Sequence, residues 1–291
     1  MPIGRLLNFP YIGRMKLQAI FLILVISSCK APEKSEWKLL FNNKDLSGWD
    51  KYLGPTYDTA LHKFDSLNIP GLNNDQENVF SVTEVDGKPA IRISGQYFGG
   101  INTLEEFSNY HLQLQFKWGV DKWPPNHKQE RKRDSGLLYH AVGPHGADNG
   151  FWMRSQEFQI QETDCGDYWG VAGGIMDIPS EGPDVGKFVY DPSKPLTTFS
   201  GTSVNGRRCI KNPDAEKPTG EWNTLDLYCL GDSAAHVVNG KLVMLLYHSR
   251  QADGDREMPL TRGKVQLQSE GAEVFFRDIK IEKIKAWPSY L

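Results

Sequence analysis

The chain has 291 residues and a formal net charge of −3, from 33 Lys and Arg against 36 Asp and Glu, which leaves no electrostatic footprint for nucleic acid. With 28 Gly, 17 Pro, 14 Phe, 11 Tyr and 8 Trp, it has the turn formers and large apolar rings that a β-rich, loop-rich protein needs. Beyond Cys29 only Cys165, Cys209 and Cys229 remain; none has zinc-site spacing, and an odd count leaves at least one thiol free.

Met1 to Arg14 carries no periodic pattern, and Met15-Lys16 reads as the true start of a signal peptide. The apolar run Leu17 to Ile26 is too short to span a bilayer as a helix. It ends Val25-Ile26-Ser27-Ser28-Cys29, the form of a bacterial lipobox, which makes Cys29 a candidate for lipidation. Residues 1–29 are therefore expected to be a targeting segment, 30–36 a tether, and 37–291 one folded domain held at the bacterial cell envelope, in the periplasm or at the outer membrane.

Along that domain, Trp37 to Trp49 reads as a short strand and a turn, and residues 50–75 as an irregular insertion or lid. Val79–Val85 and Ala90–Ser94 flank Asp86-Gly87, a hairpin signal. His111 to Trp118 alternates polar and apolar residues. Trp123 to Arg133 is a charged, Pro-bearing excursion that reads as a solvated loop, and Ser135 to His140 as the next strand.

Arg154 to Gln161 is the most informative stretch. Glu157, Gln159 and Gln161 share one parity, Phe158 and Ile160 the other, and successive strand side chains point to opposite faces. The apolar pair is expected in a core and the polar trio on the other face, as in a sugar-binding groove. The loop Cys165 to Gly170 follows, with Tyr168 and Trp169 as candidate stacking rings, together with Trp152. Ile175 to Lys194, dense in Gly, Pro and Asp, reads as loop. Leu225–Leu230 is a strand, and the runs flanking Asn239-Gly240 form a hairpin. Gly263–Gln268, Val274–Arg277 and Ile279–Ile281 supply three short strands at the end. No amphipathic helix is evident, so the expectation is all-β, a two-sheet antiparallel sandwich. Cys165 and Cys209 lie in polar loops and are candidates for a disulfide; Cys229 reads as core.

Six stretches stand in an order that resembles the 3-keto-disaccharide hydrolase domain family: Trp37 with Leu40-Phe-Asn-Asn-Lys-Asp-Leu-Ser-Gly-Trp49, Ser135-Gly136, Glu157-Phe-Gln-Ile160, Gly220-Glu-Trp-Asn223, Asn239-Gly240, and Gly263 to Gly271 with Val274 to Ile279. The resemblance covers nearly the whole domain and implies a jelly roll of the concanavalin A-like lectin and glucanase type, with a sugar cleft on one face. The chain departs from the family pattern at Asp134 and Asp278, where Asn is usual. The resemblance also implies glycoside cleavage in which a ketone at C3 acidifies the C2 proton. A base then forms the enolate, the aglycone leaves C1 by elimination, and water addition completes a net hydrolysis. A sugar 3-oxidoreductase would supply the keto substrate.

On that chemistry Glu157 is the candidate base, and His140 a second candidate acid or base. Gln159, Gln161, Trp169, His236, Gln268 and Arg277 are candidate substrate ligands, with Arg277 also placed to stabilise an oxyanion or to pair with Asp278. A divalent metal would polarise the ketone, with Glu157 and His140 as its candidate ligands, although no compact ligand motif is present. Laminarinase-type glucanases of this fold carry Glu-x-Asp-x-Glu on one strand; Glu157-x-Gln159-x-Gln161 lacks the second carboxylate that double displacement needs. Glu162 has the wrong parity and would reach the groove only through a bulge. The alternative reading is a non-catalytic, lectin-like carbohydrate-binding lipoprotein. Carbohydrate is the expected ligand in either case, and the membrane is expected to be met only through the lipid.

Overall fold

The structure is a computed structural model that describes residues 36–291. The targeting segment, Cys29 and nearly all of the tether lie outside the described residues. Among those described, every ordered element is a β-strand. A twelve-stranded and an eight-stranded sheet, their named strands all paired antiparallel, form a jelly-roll sandwich of the concanavalin-like type, with a separate small hairpin of Thr56–Asp58 and Lys63–Asp65.

The alternation of each strand decides what lies between the sheets. From the twelve-stranded sheet, Leu112, Leu114, Phe116 and Trp118 of Tyr110–Lys122 and Val274 and Phe276 of Ala272–Lys283 turn inward. From the eight-stranded sheet they meet Leu137, Tyr139, Phe158, Ile160, Tyr168, Val265 and Leu267. Each such side chain contributes roughly 1.5–3 kcal/mol when fully buried, so the inward register is strongly specified.

The two hairpins expected from Asp86-Gly87 and Asn239-Gly240 are present, joining Phe80–Val85 to Lys88–Ile93 and Ser233–Val238 to Lys241–Asp253. Both turn residues of each have positive φ (50° and 73°; 50° and 78°), the backbone that Asp/Asn-Gly accepts readily. Three expectations need correction. Ile175 to Lys194 is not all loop: Gly174–Glu181 is a strand with Ile175, Met176 and Ile178 buried, and Val189–Tyr190 pairs with it. Its flanking Gly and Pro residues mask an apolar run paired on both sides, to Leu196–Phe199 and Lys241–Asp253. Residues 50–75 are not irregular either, for Trp49–Leu53 and Gly71–Leu72 form one edge of the eight-stranded sheet. The last two short strands are one, Ala272–Lys283, irregular between Arg277 and Lys280 where Asp278 takes φ 52°.

Cys165, Cys209 and Cys229 are buried free thiols, so the disulfide between Cys165 and Cys209 is not formed.

Candidate active site

The eight-stranded sheet has its apolar alternates in the core and its polar alternates on the outer face. Four adjacent strands build that face: Tyr168–Val171, Arg154–Gln161, Asp134–Val142 and Lys264–Ser269. Register sets the rows. Glu157 lies between Leu138 and Trp169, Gln159 opposite Gly136, and Gln161 opposite Asp134. The parity read from Glu157, Gln159 and Gln161 therefore puts all three on one face, and that face lines a cavity of about 170 Å³. This is below the usual 300–1,000 Å³ of a ligand cleft, so it takes one small ring rather than a chain.

Five residues expected at the site line this cavity: Glu157, Gln159, Gln161, Trp169 and Gln268. Trp152 lines it too, its indole N–H donating to the Gly99 carbonyl at 3.0 Å and so fixing the ring as a wall. The cavity also gathers Asp134 from the start of Asp134–Val142, Glu270 from just after Lys264–Ser269, and Asp148 and Arg207 from two loops. None of these was expected there. Only Asp134 gave a signal, as the acidic residue where the family pattern has Asn.

Gly136 makes room for the arrangement. A Cβ on it would stand 2.3 Å from Glu157 Oε1 and 2.5 Å from Gln268 Oε1, so a bare backbone lets both side chains cross the strand. Asp134 accepts hydrogen bonds from the amides of Gln159, at 3.2 Å, and Gln161. Arg207 lies 3.4 Å from Asp148 and stacks its guanidinium 5.3 Å from the Trp169 ring centre. Three polar atoms buried in this cavity have no partner in the protein: Gln159 Oε1, Gln268 Oε1 and Trp169 Nε1. Two acceptors and a donor left open at one cavity are what a hydroxyl-rich ligand would satisfy.

The electrostatics follow from crowding carboxyls out of water. Burial pushes Glu157 well above the usual carboxylate range; Asp134 and Asp148 add to this, while Arg207 and the hydrogen-bonding Gln268 amide oppose it. Glu270 is raised for the same reasons, burial first, then Asp134, Glu157 and Asp148. Asp134 is raised to about 7 by burial, against the pull of Gln161 and the Ser135 N–H. Carboxyls crowded this way beside one guanidinium resist ionising together, which favours the sharing of protons among them.

The other expected site residues do not reach the cavity. His140 takes φ 53° at a bulge between Tyr139 and Val142, and its ring packs against Tyr139 and Tyr110 on the core side. Burial holds it down to about 4, so it is a neutral core group and not a catalytic partner of Glu157. The same turn removes the Glu157–His140 pair as metal ligands, and among the described residues no group of three or more His, Cys, Asp or Glu has metal-holding geometry. His236 is stacked on Phe158 at 4.0 Å, with its ring nitrogens near the Gly166 carbonyl and the Tyr139 hydroxyl, inside the core and not at a ligand. Arg277 lies on the outer face of the other sheet, 3.7 Å over Trp222, with Gln115 accepting from its Nε at 2.8 Å and Asp278 3.8 Å away. Tyr168 is core, its hydroxyl donating to Gln156. Glu162 pairs with Arg133 at 3.1 Å and does not bulge into the cavity. The second carboxyl that Gln159 and Gln161 do not supply comes instead from neighbouring elements, through Asp134 and Glu270.

A family model described as the 3-keto-alpha-glucoside-1,2-lyase-like domain matches residues 36–282. Two solved structures of candidate glycosyl hydrolases from Parabacteroides distasonis ATCC 8503 are similar to the chain. The first has 19% identity and a TM-score of 0.47, covering 86% of this chain and all of its own. The second has 20% identity and a TM-score of 0.45, covering 86% and 94%. The carbohydrate-binding module CBM66 of Bacillus subtilis matches at 9% identity and a TM-score of 0.41, over 70% of this chain and 92% of its own. No curated protein matches.

Proposed function

The chain belongs to the 3-keto-alpha-glucoside-1,2-lyase-like family, and from that premise we propose that it cleaves 3-keto glycosides, with Glu157 removing the C2 proton. Membership makes the protein carbohydrate-active; the reaction is our reading. The observation that carries it is the convergence on one cavity of a carboxyl set, buried Glu157 with half-buried Asp134 and Glu270, beside Arg207, the cation of that lining.

Elimination needs a base, a donor for the enolate oxygen and an acid for the leaving group. When the set holds fewer protons than carboxyls, the ionised member is the base and a protonated neighbour the acid, as in other sites where environments push acids apart. Glu157, in the middle of the polar row, takes the proton from C2. The electron pair of that C–H bond forms the C1–C2 double bond as the C1–O bond breaks, and Glu270 or Asp134 delivers a proton to the departing oxygen. Arg207 and the free Trp169 N–H are the donors available to the C3 oxygen, and the open oxygens of Gln159 and Gln268 accept from sugar hydroxyls. Water then adds to the unsaturated product if net hydrolysis results.

Glu157→Gln keeps the shape and removes the base. Turnover of a 3-keto glycoside should fall by about 10²–10⁴-fold with KM nearly unchanged, and deuterium exchange at C2 should disappear. Wild-type turnover in that variant would make Glu157 a sugar ligand only. A second reading, direct hydrolysis of unoxidised glycosides, is favoured by the convergence of four carboxyls, those of Asp134, Asp148, Glu157 and Glu270, on one cavity. Release from an unoxidised chromogenic glycoside, without exchange at C2, would select it. Binding of glycan with neither activity would select the lectin-like reading.

A further inference from the structure

We propose that a second cavity, beside the candidate active site, is a subsite for an acidic sugar unit, one that carries a carboxylate or a sulfate. Two segments with no other role build it. One is the small hairpin from Thr56 to Asp65; the other is the charged excursion after Lys122. Between them lies a cavity of about 570 Å³, within the range of ligand clefts and larger than the acidic one.

Its lining divides into two chemistries. Tyr57, Pro124 and Pro125 present flat apolar surfaces of the kind that pack on a pyranose ring. His62, His127, Lys128 and Arg131 supply N–H donors, and no carboxylate lines the cavity. Neither Lys128 nor Arg131 has a carboxylate partner among the described residues. Their backbone is held from below. The Lys122 ammonium donates to the carbonyl oxygens of Lys128, at 2.7 Å, and of Arg131, which ties down the backbone of the loop that carries these two exposed cations. The Trp123 N–H to the Gly271 carbonyl, 2.8 Å, ties the start of the same loop to the residue after Glu270.

The two cavities have no lining residue in common, but a row of packed rings joins them. Trp152, which lines the acidic one, meets Phe98 at 6.3 Å; Phe98 meets Phe64 at 5.1 Å; Phe64 meets Tyr57, in the basic one, at 5.2 Å. Three ring contacts are within the span of a short oligosaccharide. In the acidic cavity the lining cation, Arg207, is already paired with Asp148, whereas the basic cavity offers cations and no carboxylate, so an acidic saccharide has one favoured orientation. Identification of this unit as part of a cleaved substrate rests on the proposed function; the binding itself does not.

The test is calorimetric titration at low salt with cellobiose, cellobiouronic acid and cellobiose 6′-sulfate, on the wild type and on Lys128→Ala/Arg131→Ala. Two exposed cations should favour the acidic disaccharides by about three- to tenfold over cellobiose. That preference should vanish in high salt and in the double variant, while the variant's kcat on a neutral 3-keto glycoside stays at the wild-type value. Whichever acidic probe binds better names the anion. Equal binding of neutral and acidic probes, or a preference that survives the double substitution, would overturn the subsite. A preference present without any 3-keto turnover would remove the proposed reaction and leave the subsite standing.

Discussion

Gly136→Ala isolates the site from the fold. The substitution adds one methyl group to a strand whose backbone needs no glycine: Gly136 is absent from the positive-φ residues and pairs in register with Gln159 and its neighbours. The new Cβ would stand 2.3 Å from Glu157 Oε1 and 2.5 Å from Gln268 Oε1, whereas carbon–oxygen contact needs well over 3 Å. Each head group must therefore retreat by about 1 Å. Both obstacles are ends of rotatable side chains facing a cavity, so the cost to stability should be modest, about 1 kcal/mol, within the range for minor overpacking. Catalysis has no such slack, because a displacement of about 1 Å can cost on the order of 10²-fold. Gly136→Ala should melt within a few degrees of the wild type yet lose about 10²-fold in kcat/KM on a 3-keto glycoside, measured with thermal unfolding on the same preparation. Wild-type kcat/KM in a folded variant would refute the placement of catalysis at Glu157 and Gln268.

Other outcomes follow from the same geometry. Asp134 holds its proton up to about pH 7 when folded but only to its ordinary 3.8 when unfolded, so its stabilisation is complete below that lower value and is lost as pH rises through 7. Denaturant unfolding should therefore show a less stable protein at pH 8 than at pH 5, and Asp134→Asn should flatten that slope and gain about 1–3 kcal/mol at the higher pH; an unchanged slope would contradict the burial of this carboxyl. His236→Ala leaves a hole beside Phe158 and should destabilise by about 2–4 kcal/mol, with kcat and KM of the folded fraction unchanged; a selective loss of kcat would return His236 to the site. For the segment before residue 36, we propose lipidation at Cys29: a fatty-acid analogue should label the wild type in cells and spare Cys29→Ala, and equal labelling of both would exclude it.

What the sequence settled by itself was local and periodic. A period of two put Phe158 and Ile160 in the core and Glu157, Gln159 and Gln161 on the groove face, since a one-residue slip would expose the apolar pair. Asp86-Gly87 and Asn239-Gly240 carried their own turns, because positive φ is a property of those residues rather than of their surroundings. Periodicity failed where something non-local intervened. His140 should share the groove face with Leu138, but the bulge after Tyr139 turns it into the core, and nothing in Ser135 to His140 announces that extra residue. Gly174–Glu181 is a strand because partners on both sides satisfy its backbone, despite Gly, Pro and Asp around it. The site's acid–base character was likewise invisible. Glu157 alone is an ordinary carboxylate, and it becomes a proton-sharing one only because the sheet order places Asp134 on the next strand, with Glu270 and Asp148 delivered from chain segments far away. Charge crowding depends on distance and dielectric, and both are set by the packing of strands remote in sequence.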